Sequence, residues 1–188
     1  MNAIKIEAGG KVFAYTCGGE AYTDKSGLVW QPYVAPDAFP VQVLTKVKSG
    51  LPLLLILNDP AVADPIAKIL ADNGVFKYTG LVGASRASWM GSWFFVRDHP
   101  VYAGLPVNTA MKGFYQVEAG GQCGLLVDGP DLEVIAAYSR DHDRNNGAAT
   151  LTAKLGQGTI LIQTIRGMHP VMLERWMSNA IAFLTKKQ

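Results

Sequence analysis

The residues of this chain with the most chemical potential fall into four groups. An aromatic run, Trp89, Trp93, Phe94 and Phe95, with Trp30 and Tyr33 upstream, offers ring faces on which the C–H faces of sugar rings can stack. The same residues are equally the material of a core or an interdomain contact, because aromatics dominate both; packing is the favoured reading. Trp89 and Trp93 share a face only if that stretch is helical. A second group is Asp141-His142-Asp143-Arg144-Asn145-Asn146-Gly147, an oxygen-rich run with a calcium-loop flavour. A calcium loop of the helix-loop-helix kind needs glycine at its sixth position and glutamate at its twelfth. Here Gly147 is seventh and Thr152 twelfth, so a solvated loop between strands is favoured. The third group is the cysteines, Cys17 and Cys123: two thiols form neither a disulfide framework nor a four-thiolate zinc site. The histidines, the fourth group, lack the close spacing of a zinc site, since His99 and His142 are far apart in sequence. No metal and no cofactor is expected.

The elements that would carry these groups are readable in part. Residues 1–40 alternate short apolar runs with Gly9-Gly10, Gly18-Gly19 and Ser26-Gly27 and end in a connector bearing Pro32, Pro36 and Pro40. This segment reads as a strand-rich N-terminal arm, too small to fold alone and therefore expected to dock. Residues 41–188 read as one domain of alternating strands and helices. Val41 to Lys48 alternates as a strand would, and Leu51 to Leu57 is an apolar run suited to a strand covered on both faces. Asp64-Pro65 reads as a helix start and Asn73-Gly74 as its stop. Glu133 to Tyr138, Ala149 to Lys154 and Thr159 to Ile165 are strands, the last two joined by the short turn Gly156-Gln157-Gly158. Val171 to Leu184 is an amphipathic helix. The expected fold class is α/β: a three-layer, mainly parallel sheet flanked by helices, flavodoxin-like, with the N-terminal arm appended.

Composition sets outer limits. The chain has 188 residues, 49% hydrophobic and 17% charged, enough to bury a full core. Lys plus Arg is 17 against 15 for Asp plus Glu, a balance that gives no electrostatic case for nucleic acid or an anionic membrane as partner. No apolar run approaches the roughly 20 residues of a membrane span, and the opening residues lack the apolar region of a signal peptide. The expected location is cytoplasmic if the chain is complete, and periplasmic or secreted if it is part of an exported enzyme.

Two resemblances add to this reading. Gly83-Ala84-Ser85-Arg86-Ala87-Ser88-Trp89-Met90-Gly91-Ser92-Trp93-Phe94-Phe95, followed by His99-Pro100-Val101-Tyr102-Ala103-Gly104-Leu105-Pro106, resembles a module near the C-terminus of bacterial family 2 glycoside hydrolases of the beta-galactosidase-like kind. That module resembles the class I glutamine amidotransferase-like fold and its trehalose-utilisation-type relatives, over roughly residues 41–184. Gly18-Gly19-Glu20-Ala21-Tyr22-Thr23-Asp24 to Trp30 resembles the opening of malectin-type carbohydrate-binding domains, over too few residues to import a sugar pocket.

An amidotransferase of this class needs a cysteine on a tight strand-to-helix turn, a histidine base and a carboxylate to orient it. The resemblance places His169 at the base, but Val171 stands where the carboxylate would be. The nucleophile position is best matched by Gly83-Ala84-Ser85, with no cysteine. Gly121-Gln122-Cys123-Gly124 imitates the turn, yet Leu125 to Pro130 leaves no room for a helix, and a buried structural thiol is the favoured reading. Ser85 with His169 remains a bare serine–histidine pair without a third member. The expected function is therefore a non-catalytic accessory module of a glycoside hydrolase, not itself an enzyme, whose partners are neighbouring domains or a second copy. A carbohydrate-binding module using Trp89, Trp93, Phe94, Phe95 and Trp30 is the alternative, and a weak hydrolase built on Ser85, Cys123 or His169 is the third.

Overall fold

A computed structural model of the chain describes residues 4–8, 12–16, 22–24, 27–29, 39, 41–57, 59–83, 92–111, 123–141, 143–166 and 168–186. The strands are β1 (Ile4–Ala8), β2 (Val12–Thr16), β3 (Tyr22–Asp24), β4 (Gly27–Val29), β5 (Leu53–Ile56), β6 (Lys77–Val82), β7 (Ser92–Val96), β8 (Thr109–Met111), β9 (Gly124–Asp128), β10 (Leu132–Arg140), β11 (Gly147–Leu155) and β12 (Gly158–Gln163). The helices are α1 (Gln42–Lys48), α2 (Pro60–Asp72) and α3 (Pro170–Thr185), with a 3-10 turn at Pro100–Tyr102.

Among the described residues, ten strands form one sheet. Its path runs β1-β2-β5-β12-β11-β10-β7-β8, with β9 joined to the start of β11 and β6 paired to β9. Strands β3 and β4 form a separate two-stranded ladder. Among the described residues, the β2–β5 and β5–β12 ladders are the parallel ones. The remaining ladders of the large sheet are antiparallel. The expected mainly parallel, flavodoxin-like sheet is thus overturned: this sheet is mixed and mainly antiparallel. The connections supply the reason. Strands β9, β10, β11 and β12 follow one another through short links, and a parallel neighbour needs a crossover of a dozen residues or more. Strand β2 joins the sheet beside β5, with Phe13 in register with Leu53.

Two local readings also change. Residues 42–48 are helical, not a strand: Val43, Leu44 and Val47 are the buried positions, and this i, i+1, i+4 spacing is a helix face. Helix α2 begins at Pro60, four residues ahead of Asp64. Its N-cap is Asp59, whose Oδ1 accepts the Ala61 N–H at 2.9 Å, so Pro65 lies inside the helix. Asp64 instead serves the helix surface and β6, accepting from Lys68 Nζ at 2.5 Å and from the Tyr78 hydroxyl at 2.7 Å. Those two hydrogen bonds hold its carboxyl below the usual carboxylate range.

The core lies in two clusters on opposite faces of the central strands. Leu53, Leu55 and Leu57 pack with α1 and α2, together with Leu151, Ala153, Ile160 and Ile162. Leu54 and Ile56 point the other way and pack with Trp176, Met177, Ala180 and Ile181 of α3. Gly158 is the tight point between the layers. A Cβ there would meet the Val47 carbonyl oxygen and lie 2.8 Å from that of Leu51, both backbone atoms that cannot swing aside. We expect Gly158→Ala to cost about 1–3 kcal/mol by overpacking. In a chain of this size that is a fall in Tm of very roughly 3–10 °C, read by thermal melts. An unchanged Tm would show that α1 is free to move off β12.

Candidate functional site

Cys123 and His169 lie in different surroundings. Cys123 directly precedes β9, so a strand and not a helix comes after it, and its side chain is 0% exposed within the cluster that holds α1 and α2. Burial, with the Asp59 carboxylate nearby, pushes its thiol up to about 12. Its carbonyl oxygen accepts the Thr164 hydroxyl at 2.6 Å. His169 is exposed at the residue before α3, where its side chain makes no cap hydrogen bond. Helix α3 packs in the other cluster, across the sheet from Cys123. Ser85 lies outside the described residues.

The aromatic run is split by a strand. Trp93, Phe94 and Phe95 lie on β7, so neighbours point to opposite faces, and Trp93 has no helical register to share with Trp89. Phe94 is 1% exposed and packs on Tyr138 with ring centroids 5.2 Å apart, which removes it from any surface platform. Trp93 is half-buried, and Phe95 is 46% exposed. Trp89, Trp30 and Tyr33 lie outside the described residues.

Beside Phe95 the sheet opens into a cleft of about 460 Å³ between β9 and β10. Its lining includes Thr79, Leu125 to Asp128, Val134, Ala137, Asn145 and Asn146. Phe95 is the cross-strand partner of Ala137, so the ring stands on the cleft's face, one strand over. Backbone irregularities shape these walls. The β6–β9 register shifts between Tyr78 and Gly80, leaving Thr79 as the extra residue, and Gly80 adopts a φ of 142°. The β10–β11 register shifts between Val134 and Ala137. Gly124 and Gly147 bring β9 and β11 into backbone contact: a Cβ on Gly124 would lie 2.7 Å from the Gly147 carbonyl carbon. None of the cleft's polar residues was singled out for this site from sequence. The available signals were Gly80 inside a strand pattern, a mark of a bulge, and the Asn-Asn-Gly turn at 145–147.

The 141–147 loop behaves as a connection. Arg140 Nη2 donates to Asp143 Oδ1 at 2.9 Å, and Asn145 and Asn146 are exposed. Among the described residues no group of three or more His, Cys, Asp or Glu side chains is placed to hold a metal ion. No helix among them is long and apolar enough to cross a membrane.

The His99-Pro100 phrase folds into the 3-10 turn. His99 Nδ1 accepts the Val101 N–H at 3.3 Å, its ring meets Phe183 edge-on at 4.9 Å, and Nε2 lies 3.9 Å from Glu133. A ring nitrogen that accepts an N–H is unprotonated, which places the neutral ring's proton on Nε2, facing the carboxylate. Burial lowers the His99 pKa, outweighing the opposing pull of Glu133.

No family model matches the chain, and no curated protein matches it. Among solved structures it is similar to the cytoplasmic protein STM1381 from Salmonella typhimurium LT2, at 12% identity and a TM-score of 0.50, covering 78% of this chain and 60% of that one. It is also similar to the cytoplasmic protein STM3548 from Salmonella typhimurium, at 15% identity and a TM-score of 0.49, covering 78% and 61%. The chain spans about three fifths of the length of these two structures, and at such identities the likeness concerns the fold alone.

The burial of Cys123 and of His99 leads to two expected outcomes. In a Cys17→Ser background, Cys123 should resist a disulfide-exchange reagent at pH 8 until the protein unfolds, because very little of the thiol is ionised and none is accessible. Rapid native labelling would contradict the buried placement. For His99, the folded pKa lies below that of the unfolded chain, about 6.5. The unfolded state then binds more protons, so this stabilising contribution is full above about pH 6.5 and is lost as pH falls toward the folded pKa. His99→Asn keeps a capping acceptor that does not titrate. Its Tm should therefore fall less than wild type's between pH 7.5 and 5.5, and equal falls would show that His99 does not titrate in this window.

Proposed function

We propose that the chain is a non-catalytic accessory module of a bacterial carbohydrate-active enzyme, of the family 2 glycoside hydrolase type, that packs against a neighbouring domain or a second copy. The observation that carries the non-catalytic part is Cys123: a thiol at 0% exposure with its pKa near 12 can neither reach a substrate nor supply a thiolate. His169 is exposed ahead of α3 while Cys123 is sealed in the core, and a base must lie within hydrogen-bond reach of its nucleophile. The tie to glycosidases rests on the resemblance of the Gly83–Phe95 and His99–Pro106 phrases, which is analogy and not chemistry. Packing on a neighbour is favoured by Val171, 67% exposed at the start of α3.

Carbohydrate binding is the second reading, and the exposed Phe95 ring favours it. Both readings expect no turnover. Glutamine, nitrophenyl esters and nitrophenyl glycosides should all remain at buffer rates with the wild-type chain. Turnover abolished by Ser85→Ala, Cys123→Ser or His169→Ala would instead establish a hydrolase and overturn both.

A further inference from the structure

We propose that the cleft between β9 and β10, with the Phe95 ring beside it, binds a neutral saccharide chain; this deepens the second reading above by giving it a site and a ligand class. The first argument is Phe95 itself. A phenylalanine on a strand normally shares its apolar face with large neighbours. Here the residues directly opposite on both flanking strands are alanines, Ala137 on β10 and Ala110 on β8. Methyl groups on either side leave the ring standing clear. A flat apolar ring open to solvent suits a ligand that is itself flat and apolar on one side and polar at its edges.

The second argument is the polarity of the cleft. Thr79, Asp128, Asn145 and Asn146 supply a hydroxyl, a carboxylate and two amides, set among Leu125, Val127 and Val134. Among the described residues neither asparagine side chain has a partner within the chain. Amides and a carboxylate offer paired donors and acceptors, the match for adjacent hydroxyls. The lining contains no Lys or Arg and one acidic group, which disfavours a phosphate-bearing ligand such as a nucleotide. A purely apolar ligand would strip water from the amides and carboxylate without replacing their hydrogen bonds. A neutral polyhydroxylated ring with an apolar face satisfies both the platform and the walls. The volume falls in the range of small-ligand sites.

The third argument is the backbone. Three register shifts and one glycine–glycine contact meet at these few residues. The shift in β6 puts Thr79 in the cleft wall as the unpaired residue, the two shifts of the β10–β11 ladder fall between Val134 and Ala137, and Gly124 of β9 lies against Gly147. Bulges interrupt ladder hydrogen bonds and persist where they re-aim a side chain.

The test uses an array of immobilised neutral, sulfated and phosphorylated oligosaccharides, then titration with the free form of whichever neutral oligosaccharide captures the protein. The wild-type chain should be retained by a subset of the neutral glycans. Phe95→Ala and Asn146→Ala should each weaken that affinity about tenfold or more, a loss of one ring contact or one charge-free hydrogen-bond pair at ~1.4 kcal/mol per tenfold. Phe95→Trp should restore it, and all three variants should keep the wild-type Tm, since both positions are exposed. Glycan capture that survives Phe95→Ala and Asn146→Ala would overturn this site while leaving the binding reading standing. A blank array would overturn both, and preference for sulfated or phosphorylated glycans would overturn the neutral class.

Discussion

The whole arrangement depends on one strand that must be apolar on both sides. In β5 successive side chains point to opposite faces, and Leu53, Leu54 and Leu55 are all fully buried. Such a strand is stable only if each face is covered. Helices α1 and α2 cover one face and α3 covers the other, and the adjoining strand β12 repeats the demand with Ile160, Leu161 and Ile162. Burying side chains of this kind stabilises by roughly 1.5–3 kcal/mol each. This double-covered strip therefore fixes where every other element can lie. Parallel pairing falls in this strip: β5 reaches its neighbours β2 and β12 through long stretches of chain, whereas β10, β11 and β12 follow one another through short links and pair antiparallel.

Away from that strip the cover thins, and the consequences differ by face. Strands β10 and β7 still send Ile135, Tyr138, Phe94 and Val96 into the cluster under α3. On their other face the residues are Ala137, Trp93 and Phe95, half-buried or exposed, with the cleft alongside. The packed face holds the strands rigid, which is what a site on the opposite face requires. Tyr102 helps join the two regions. Its hydroxyl shares a 2.7 Å hydrogen bond with Thr150 on β11, and its ring meets Trp176 of α3 edge-on at 6.4 Å.

The sequence disclosed elements wherever one period dominated. Leu51 to Leu57 is apolar throughout, and β5 lies inside it. The spacing of Trp176, Met177, Ala180, Ile181 and Leu184 is helical only, and α3 buries those five. Val43 and Val47 satisfy both an alternating and a helical pattern, so α1 is not separable from a strand by those positions. The sheet's direction was legible in principle. A two-residue link at Gly156-Gln157 permits only antiparallel neighbours, and it spoke against a mainly parallel sheet from the start. The cleft was not legible, because Thr79, Asp128, Val134 and Asn146 are brought together by ladders and not by spacing. The aromatic run was visible, but which of its rings faces solvent depends on strand phase: Phe94 and Phe95 are adjacent, and only one of them is exposed.

The chemical meaning of Cys123 turns on the element next to it in the chain. A cysteine between glycines is reactive when that element is a helix whose N–H groups point at the thiolate. Here the element is β9, and Gly124 is needed for another purpose. Its backbone lies so close to Gly147 that neither position has room for a side chain. That contact sets β9 against the start of β11, where Leu125 pairs with Ala148, and it brings the residue before it, Cys123, under helix α2 and into the core. Gly124, which imitates part of a catalytic turn in sequence, therefore serves close packing instead. Freeing Cys123 for chemistry would require separating β9 from β11, which would also dismantle the wall that Leu125 to Asp128 give to the cleft.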